Sequence, residues 1–260
     1  MTALTTPIAP LPHERHQTLA ELRRMLPWLE SGAAKTRAFS FGIPEVDDHL
    51  PQGGLASGAV HEVAPVNFRD TPAALGFTLA LLGRMRGSIL LITAPRGLAD
   101  HGRLYGHGLS RLGLDPARLV VVEAADDKQA HWAMEESLRS RVPGVVAGAI
   151  GASLDLRTSQ RLQLAAGDSG IPLLLLHPAN AEGSNAAMTR WRLAAAAAVR
   201  DRFGLIERWR WRVTLERSRN GRPGEWVLEY DDAYRFRLAA AMADPALPRR
   251  AGASSLAHAG

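Results

Sequence analysis

Between Ala59 and His177 the chain alternates short apolar runs with longer stretches of helical spacing, separated by Gly and Pro turns. This pattern constrains the fold most. Strands that recur after helical crossovers pair in parallel and must be covered on both faces, which predicts an α/β domain with a mostly parallel, twisted sheet and helices on both sides. The predicted strands are Ala59 to Val63, Ser88 to Thr93, Leu119 to Glu123, Val142 to Ala147, Pro172 to His177 and Val213 to Glu216. Helices are predicted at about Thr71 to Arg86, Asp100 to Leu112, Asp127 to Arg141 and Ser159 to Ala166.

The last third reads differently. From Glu207 to Leu215 the alternation is strict, with Trp209, Trp211, Val213 and Leu215 on one face and Arg208, Arg210, Arg212 and Thr214 on the other. Asn220-Gly221 and Pro223-Gly224 then mark a turn before Trp226 to Tyr230, so an antiparallel hairpin is expected at the C-terminal edge of the sheet. The alanine run Ala194 to Ala198 has high helix propensity. Residues 1–38 form a predicted arm rich in Pro and Thr and a helix over Glu14 to Leu29, which either covers the core or holds another protein. Residues 39–242 form the core domain and 243–260 a disordered tail.

Composition narrows the function classes. The absence of cysteine excludes disulfides, thiolate metal sites and a cysteine nucleophile, and fits a cytoplasmic protein. No basic segment followed by an apolar run opens the chain, and no apolar stretch is long enough to span a membrane. Residues 190–222 carry ten arginines against three acids, a local balance of +7 in a chain of net charge +5. Positive charge is therefore local. Arg208, Arg210, Arg212, Arg217 and Arg219 are candidates for DNA phosphates or an acidic partner, the alternative being a solvated strand face over a tryptophan core.

Phe39 to Pro65 holds the most specific motif: a short strand, Asp47-Asp48 beside a helix, Gly53-Gly54-Leu55, Gly58, and Glu62 near the end of a strand. This ordered set resembles the opening of the RecA-like family. In that family the strand runs into a P-loop, G-x-x-x-x-G-K-[ST], whose amides cradle phosphate while the lysine neutralises it. Here Ala64-Pro65 opens the same register, Arg69 stands at the second glycine position, Asp70 at the lysine position, and only Thr71 survives. A carboxylate facing phosphate at ~4 Å is repelled by roughly 4 kcal/mol at an effective dielectric of 20. The alternative, that Arg69 swings in to replace the lysine, still leaves a crowded turn. The resemblance also aligns Pro95 with the glutamate that orients attacking water and Gly148 with the aspartate that supports magnesium. ATP and magnesium are thus not expected as cofactors, and the chain is expected to be an inactive ATPase homologue.

A RecA-like chain of this length with an eroded P-loop, an N-terminal arm and an Arg/Trp-rich C-terminal part resembles the ImuA family, also described as SulA-like. The resemblance covers roughly Phe39 to Leu238. It implies a non-catalytic accessory role in the SOS response and mutagenic translesion DNA synthesis, as adaptor or RecA modulator. The implied partners are an ImuB-like inactive Y-family polymerase, an error-prone C-family DNA polymerase and RecA. Direct DNA contact stays open, as do an atypical RecA-family ATPase and a SulA-like inhibitor of cell division. The scattered histidines lack ligand spacing, and there is no G-x-S-x-G elbow.

Overall fold

The structure is a computed structural model that describes residues 38–98, 102–179 and 186–239. The predicted N-terminal arm and C-terminal tail lie outside the described residues. The strands are β1 (Ala38–Phe39), β2 (Leu55–Ala56), β3 (Val60–Pro65), β4 (Ile89–Thr93), β5 (Leu119–Glu123), β6 (Val145–Ala149), β7 (Leu173–Leu176), β8 (Thr189–Ala195), β9 (Val199–Arg200), β10 (Ile206–Ser218), β11 (Gly224–Tyr230) and β12 (Phe236–Leu238). Between them lie α1 (Pro44–Asp47), α2 (Thr71–Arg84), α3 (Pro95–Leu98), α4 (Gly106–Arg111), α5 (Asp127–Ser140) and α6 (Leu156–Ser169).

One large sheet runs in the order β12-β11-β10-β8-β3-β7-β6-β4-β5, with β9 paired to β10. The β8, β3, β7, β6, β4 and β5 rungs are parallel. The β8–β10, β10–β11 and β11–β12 rungs are antiparallel, as expected for the C-terminal edge. The fold class read from the sequence therefore holds.

Strand periodicity divides the core into two layers. Val145, Ala147, Ala149, Leu174 and Leu176 face a cluster containing Phe77 and Leu81 of α2 with Trp191, Trp211 and Phe236. Val146, Leu173 and Leu175 face the opposite cluster, built on Met134 and Leu138 of α5 and Leu162 of α6. Phe77 is fully buried and meets the rings of Trp211 and Phe236 edge-on. Removing such a ring costs about 3–5 kcal/mol.

Three expectations need correction. Thr189–Ala195 is a strand, so the alanine run ends β8 where propensity suggested a helix. The alternation of Trp191 and Leu193, buried, with Arg190 and Arg192, half-buried, outweighs the intrinsic preference of alanine. The helix expected from Asp100 begins only at Gly106, with Tyr105 as its N-cap. Trp209 is 43% exposed, because β10 continues past Trp211 beyond its last rung with β8.

The opening motif is explained by close approach. A Cβ on Gly54 would sit 2.5 Å from the Phe39 carbonyl oxygen, so only glycine lets β2 pair with β1 there. The Asp47 carboxylate reaches back from the end of α1 and accepts the amides of Phe41, Gly42 and Ile43, fixing the segment that leads into the core. At the other margin β5 is an edge with no further strand paired to it among the described residues, with Val120 and Val121 about half exposed.

Candidate functional site

The loop from Ala64 to Thr71 joins β3 to α2, the place where a phosphate cradle would lie. Four of its amides bond within the protein. The Val66 N–H donates to the Leu193 carbonyl at 2.8 Å, Arg69 N–H to Asn67 Oδ1 at 2.9 Å and Asp70 N–H to the Asn67 carbonyl at 3.0 Å. Thr71 N–H donates to the Phe68 carbonyl, and so does the Thr71 hydroxyl, at 2.8 Å. A phosphate nest needs such N–H groups converging on empty space.

Asp70 completes the closure. It is buried, and its Oδ1 accepts the Ala195 amide at 2.9 Å while Oδ2 accepts from the Asn67 side chain. The Asp70 carboxylate is thus a latch between the loop and the end of β8. Arg69 is exposed. The donor set does not fit a magnesium–nucleotide complex.

Pro95 and Gly148 do not converge on this loop. Pro95 opens α3 and lines a cleft of about 610 Å³ at the carboxyl ends of β4 and β5, together with Thr93, Val121 and Glu123. None of the residues lining that cleft comes from the Ala64–Thr71 loop. Gly148 faces the α5 side of the sheet, where a Cβ would meet Met134 Sδ at 2.4 Å and Leu175 Cδ1 at 2.8 Å. The residues of β6 that face the α2 side are Val145, Ala147 and Ala149, which carry no carboxylate.

With this geometry in hand, the similarity to known proteins is decisive. The chain is 35% identical over 241 residues to Protein ImuA of two strains of Caulobacter vibrioides, NA1000/CB15N and ATCC 19089/CB 15, covering 83% of this chain and 95% of each relative. The chain belongs to the ImuA family. No family model matches it.

In this ImuA-family chain, Glu62 is the buried charge at the centre of the sheet. Its Oε1 lies 3.0 Å from His177 Nε2 on the β7 side, and its Oε2 accepts from Arg190 Nε of β8 at 3.0 Å. The sequence marked Glu62 but not its partners; the Arg190/Arg192 alternation was the available signal. One residue earlier, His61 is held neutral. Burial pushes its pKa down to about 4, opposed by its bond to the Ala56 carbonyl. Nε2 donates to that carbonyl at 2.9 Å, and Nδ1 accepts from the Thr189 hydroxyl at 2.8 Å.

The five candidate arginines of β10 and its turn fall into two groups. Arg208 and Arg210 both bond Glu229 of β11, and Arg210 stands directly opposite it. Arg212 approaches Glu225 at 3.8 Å. Further along, Arg217 Nη2 donates to the Ala187 carbonyl and Arg219 Nη2 to the Ala186 carbonyl. The cationic strand face is thus matched by carboxylates in its upper half. Among the described residues no group of His, Cys, Asp or Glu could hold a metal ion, and no helix is long and apolar enough to cross a membrane.

Proposed function

We propose that this chain is a non-catalytic, RecA-like accessory protein of damage-induced mutagenic translesion synthesis. It acts as an adaptor or RecA modulator beside an ImuB-like inactive Y-family polymerase and an error-prone C-family polymerase. Membership of the ImuA family supports the pathway. The observation that carries the non-catalytic part is the closed loop, in which Asp70 bonds Ala195 and the amides of Val66, Arg69, Asp70 and Thr71 bond within the protein. A site that must open by breaking these bonds before it can meet phosphate is poorly prepared for turnover. An adaptor, by contrast, needs accessible surface, and the β5 edge, which no other strand among the described residues pairs, supplies one with its exposed valines.

Two measurements test the reading. Calorimetric titration with ATP and magnesium should give no binding heat, and micromolar affinity would overturn the non-catalytic assignment. Capture of the tagged chain from DNA-damaged cells should recover the polymerase partners and RecA. Recovery of the tubulin-like division protein in their place would favour cell-division inhibition.

A further inference from the structure

Strand β10 outruns its neighbours. Its last rung with β8 is Trp211 opposite Ala195 and its last with β11 is Trp209 opposite Tyr230, so among the described residues Ile206 and Arg208 pair only with β9. The β9–β10 hairpin therefore projects past the sheet. Its turn is closed by hydrogen bonds: Asp201 N–H donates to the Leu205 carbonyl at 2.9 Å, Gly204 N–H donates to the Asp201 carbonyl at 3.0 Å, and Asp201 Oδ1 accepts the amides of Phe203 and Leu205 at 2.8 and 2.9 Å. Gly204 supplies the φ of 80° that the turn requires. Turns of this kind ordinarily display polar residues. This one displays Phe203, 72% exposed, and Leu205, 65% exposed, with Trp209 four residues further along β10. Because the turn is already ordered, little conformational freedom is left to lose when a partner arrives. Arg200 and Arg202 stand beside the apolar pair and are exposed. Arg202 lies over the Phe203 ring at 4.7 Å, Arg200 donates to the Gly204 carbonyl at 2.6 Å, and among the described residues neither forms an ion pair. With Asp201 half-buried and bonded to the turn, these two guanidinium groups outnumber the one exposed carboxylate of the hairpin, Glu207.

We propose that the β9–β10 hairpin is a docking finger: Phe203 and Leu205, with Trp209 at its base, enter an apolar pocket of a partner protein whose rim carries carboxylates for Arg200 and Arg202. The sign of the rim follows from the two guanidinium groups that no carboxylate of the described residues meets, and from the net charge of +5, which steers acidic surfaces toward the chain. Three large apolar side chains beside the exposed Glu207 suit a protein pocket better than a phosphate backbone, and an aromatic side chain seated in a pocket is the usual energetic centre of a protein interface. An adaptor needs two surfaces. Strand β5 lies at one margin of the sheet, and the finger projects from the antiparallel half at the other. The finger rests on the adaptor reading above for the choice of proteins that test it.

The test is interferometry of the immobilised full chain against three purified proteins: the ImuB-like polymerase homologue, the error-prone C-family polymerase and RecA. Phe203→Ser with Leu205→Ser should weaken binding to at least one of them ~30-fold or more, the loss expected when central apolar anchors are removed. Arg200→Glu with Arg202→Glu should slow association with that same protein about 10-fold at low salt and far less at high salt. The control Leu164→Ser, at a comparably exposed apolar residue of α6, should change affinity less than ~3-fold. Every substituted side chain is exposed, and an unaltered thermal midpoint will show that each variant is folded. Unchanged affinity of the serine double variant for all three proteins, or an equal loss in the control, would overturn the finger while the adaptor reading stands. An unchanged association rate in the glutamate double variant would overturn the acidic rim. No binding by the unmodified chain would overturn the adaptor reading and the finger together. Anionic phosphatidylglycerol vesicles and a labelled single-stranded oligonucleotide complete the series: if the serine variant loses only one of these ligands, the finger serves a membrane or nucleic acid and the protein pocket is rejected.

Discussion

The two ends of the parallel sheet treat charge in opposite ways. At the carboxyl end, where sequence register places a phosphate loop, the protein supplies its own anion: Asp70 lies buried between Asn67 and the Ala195 amide. At the foot the buried carboxylate of Glu62 is matched by basic side chains instead, Arg190 at 3.0 Å and His177 at 3.0 Å, while Arg219 and Arg222 are exposed. One buried acid is satisfied by an amide of the backbone, the other by basic side chains.

The contrast can be broken at the strand that joins the two ends. Glu62→Ala should have the largest effect, about 3–5 kcal/mol of lost stability, because it strips the buried carboxylate from Arg190 and His177. Urea denaturation measures it, and a loss below ~1 kcal/mol would mean that the network is not held by Glu62.

A pH series probes the foot next. The folded-state pKa of His61 is depressed to about 4, below the ordinary 6.5, so the unfolded chain takes up a proton that the folded chain refuses. Its stabilising contribution is full above about pH 6.5 and falls as pH drops toward 4, to a limit on the order of 3 kcal/mol. Unfolding followed at pH 7 and pH 4.5 should show this loss, and His61→Gln should flatten it. A slope that survives the substitution would assign the pH dependence to other groups.

At the carboxyl end, Asp70→Ala leaves the Ala195 amide without its acceptor and should cost about 1–3 kcal/mol in a thermal or urea melt. If Asp70 is a latch, the variant should also gain no affinity for ATP and magnesium, since the Asn67 bonds remain. Smallest of all is Arg212→Ala, below about 0.5 kcal/mol, because both members of the 3.8 Å pair with Glu225 are largely exposed.

Much of the parallel half was readable from sequence because its strands are continuous apolar runs between turns. Leu119–Glu123 and the helix starts at Thr71 and Asp127 stand where the pattern puts them. β8 was hidden because two signals compete in one segment, a period of two over Arg190 to Leu193 and an alanine run immediately after it. Tertiary pairing decides for the strand, with β3 on one side and β10 on the other. At the candidate site, the resemblance singles out Ala64, Arg69 and Asp70. What the Asp70 carboxylate does was not legible, since its acceptor role depends on an amide 125 positions away. Gly148 shows the limit of register alone: the residue was identified, but the face it occupies is fixed by packing against Met134. The arginines on β10 were seen as one group because their partners, Glu225 and Glu229, lie on another strand.

The aromatic layer beneath the hairpin has a practical consequence for anyone watching this protein unfold. Trp191 meets the rings of Trp226 and Phe41, Trp211 meets Phe77, and Phe41 and Phe77 stack, so the three indoles share one aromatic layer. On the opposite side of the sheet, Trp132 of α5 is 64% exposed and already resembles a solvated indole. Among the described residues, buried tryptophan emission is therefore a reporter of the antiparallel half. Among the described residues no buried tryptophan lies at the β4–β5 margin, and hydrogen exchange is the direct way to register its loosening.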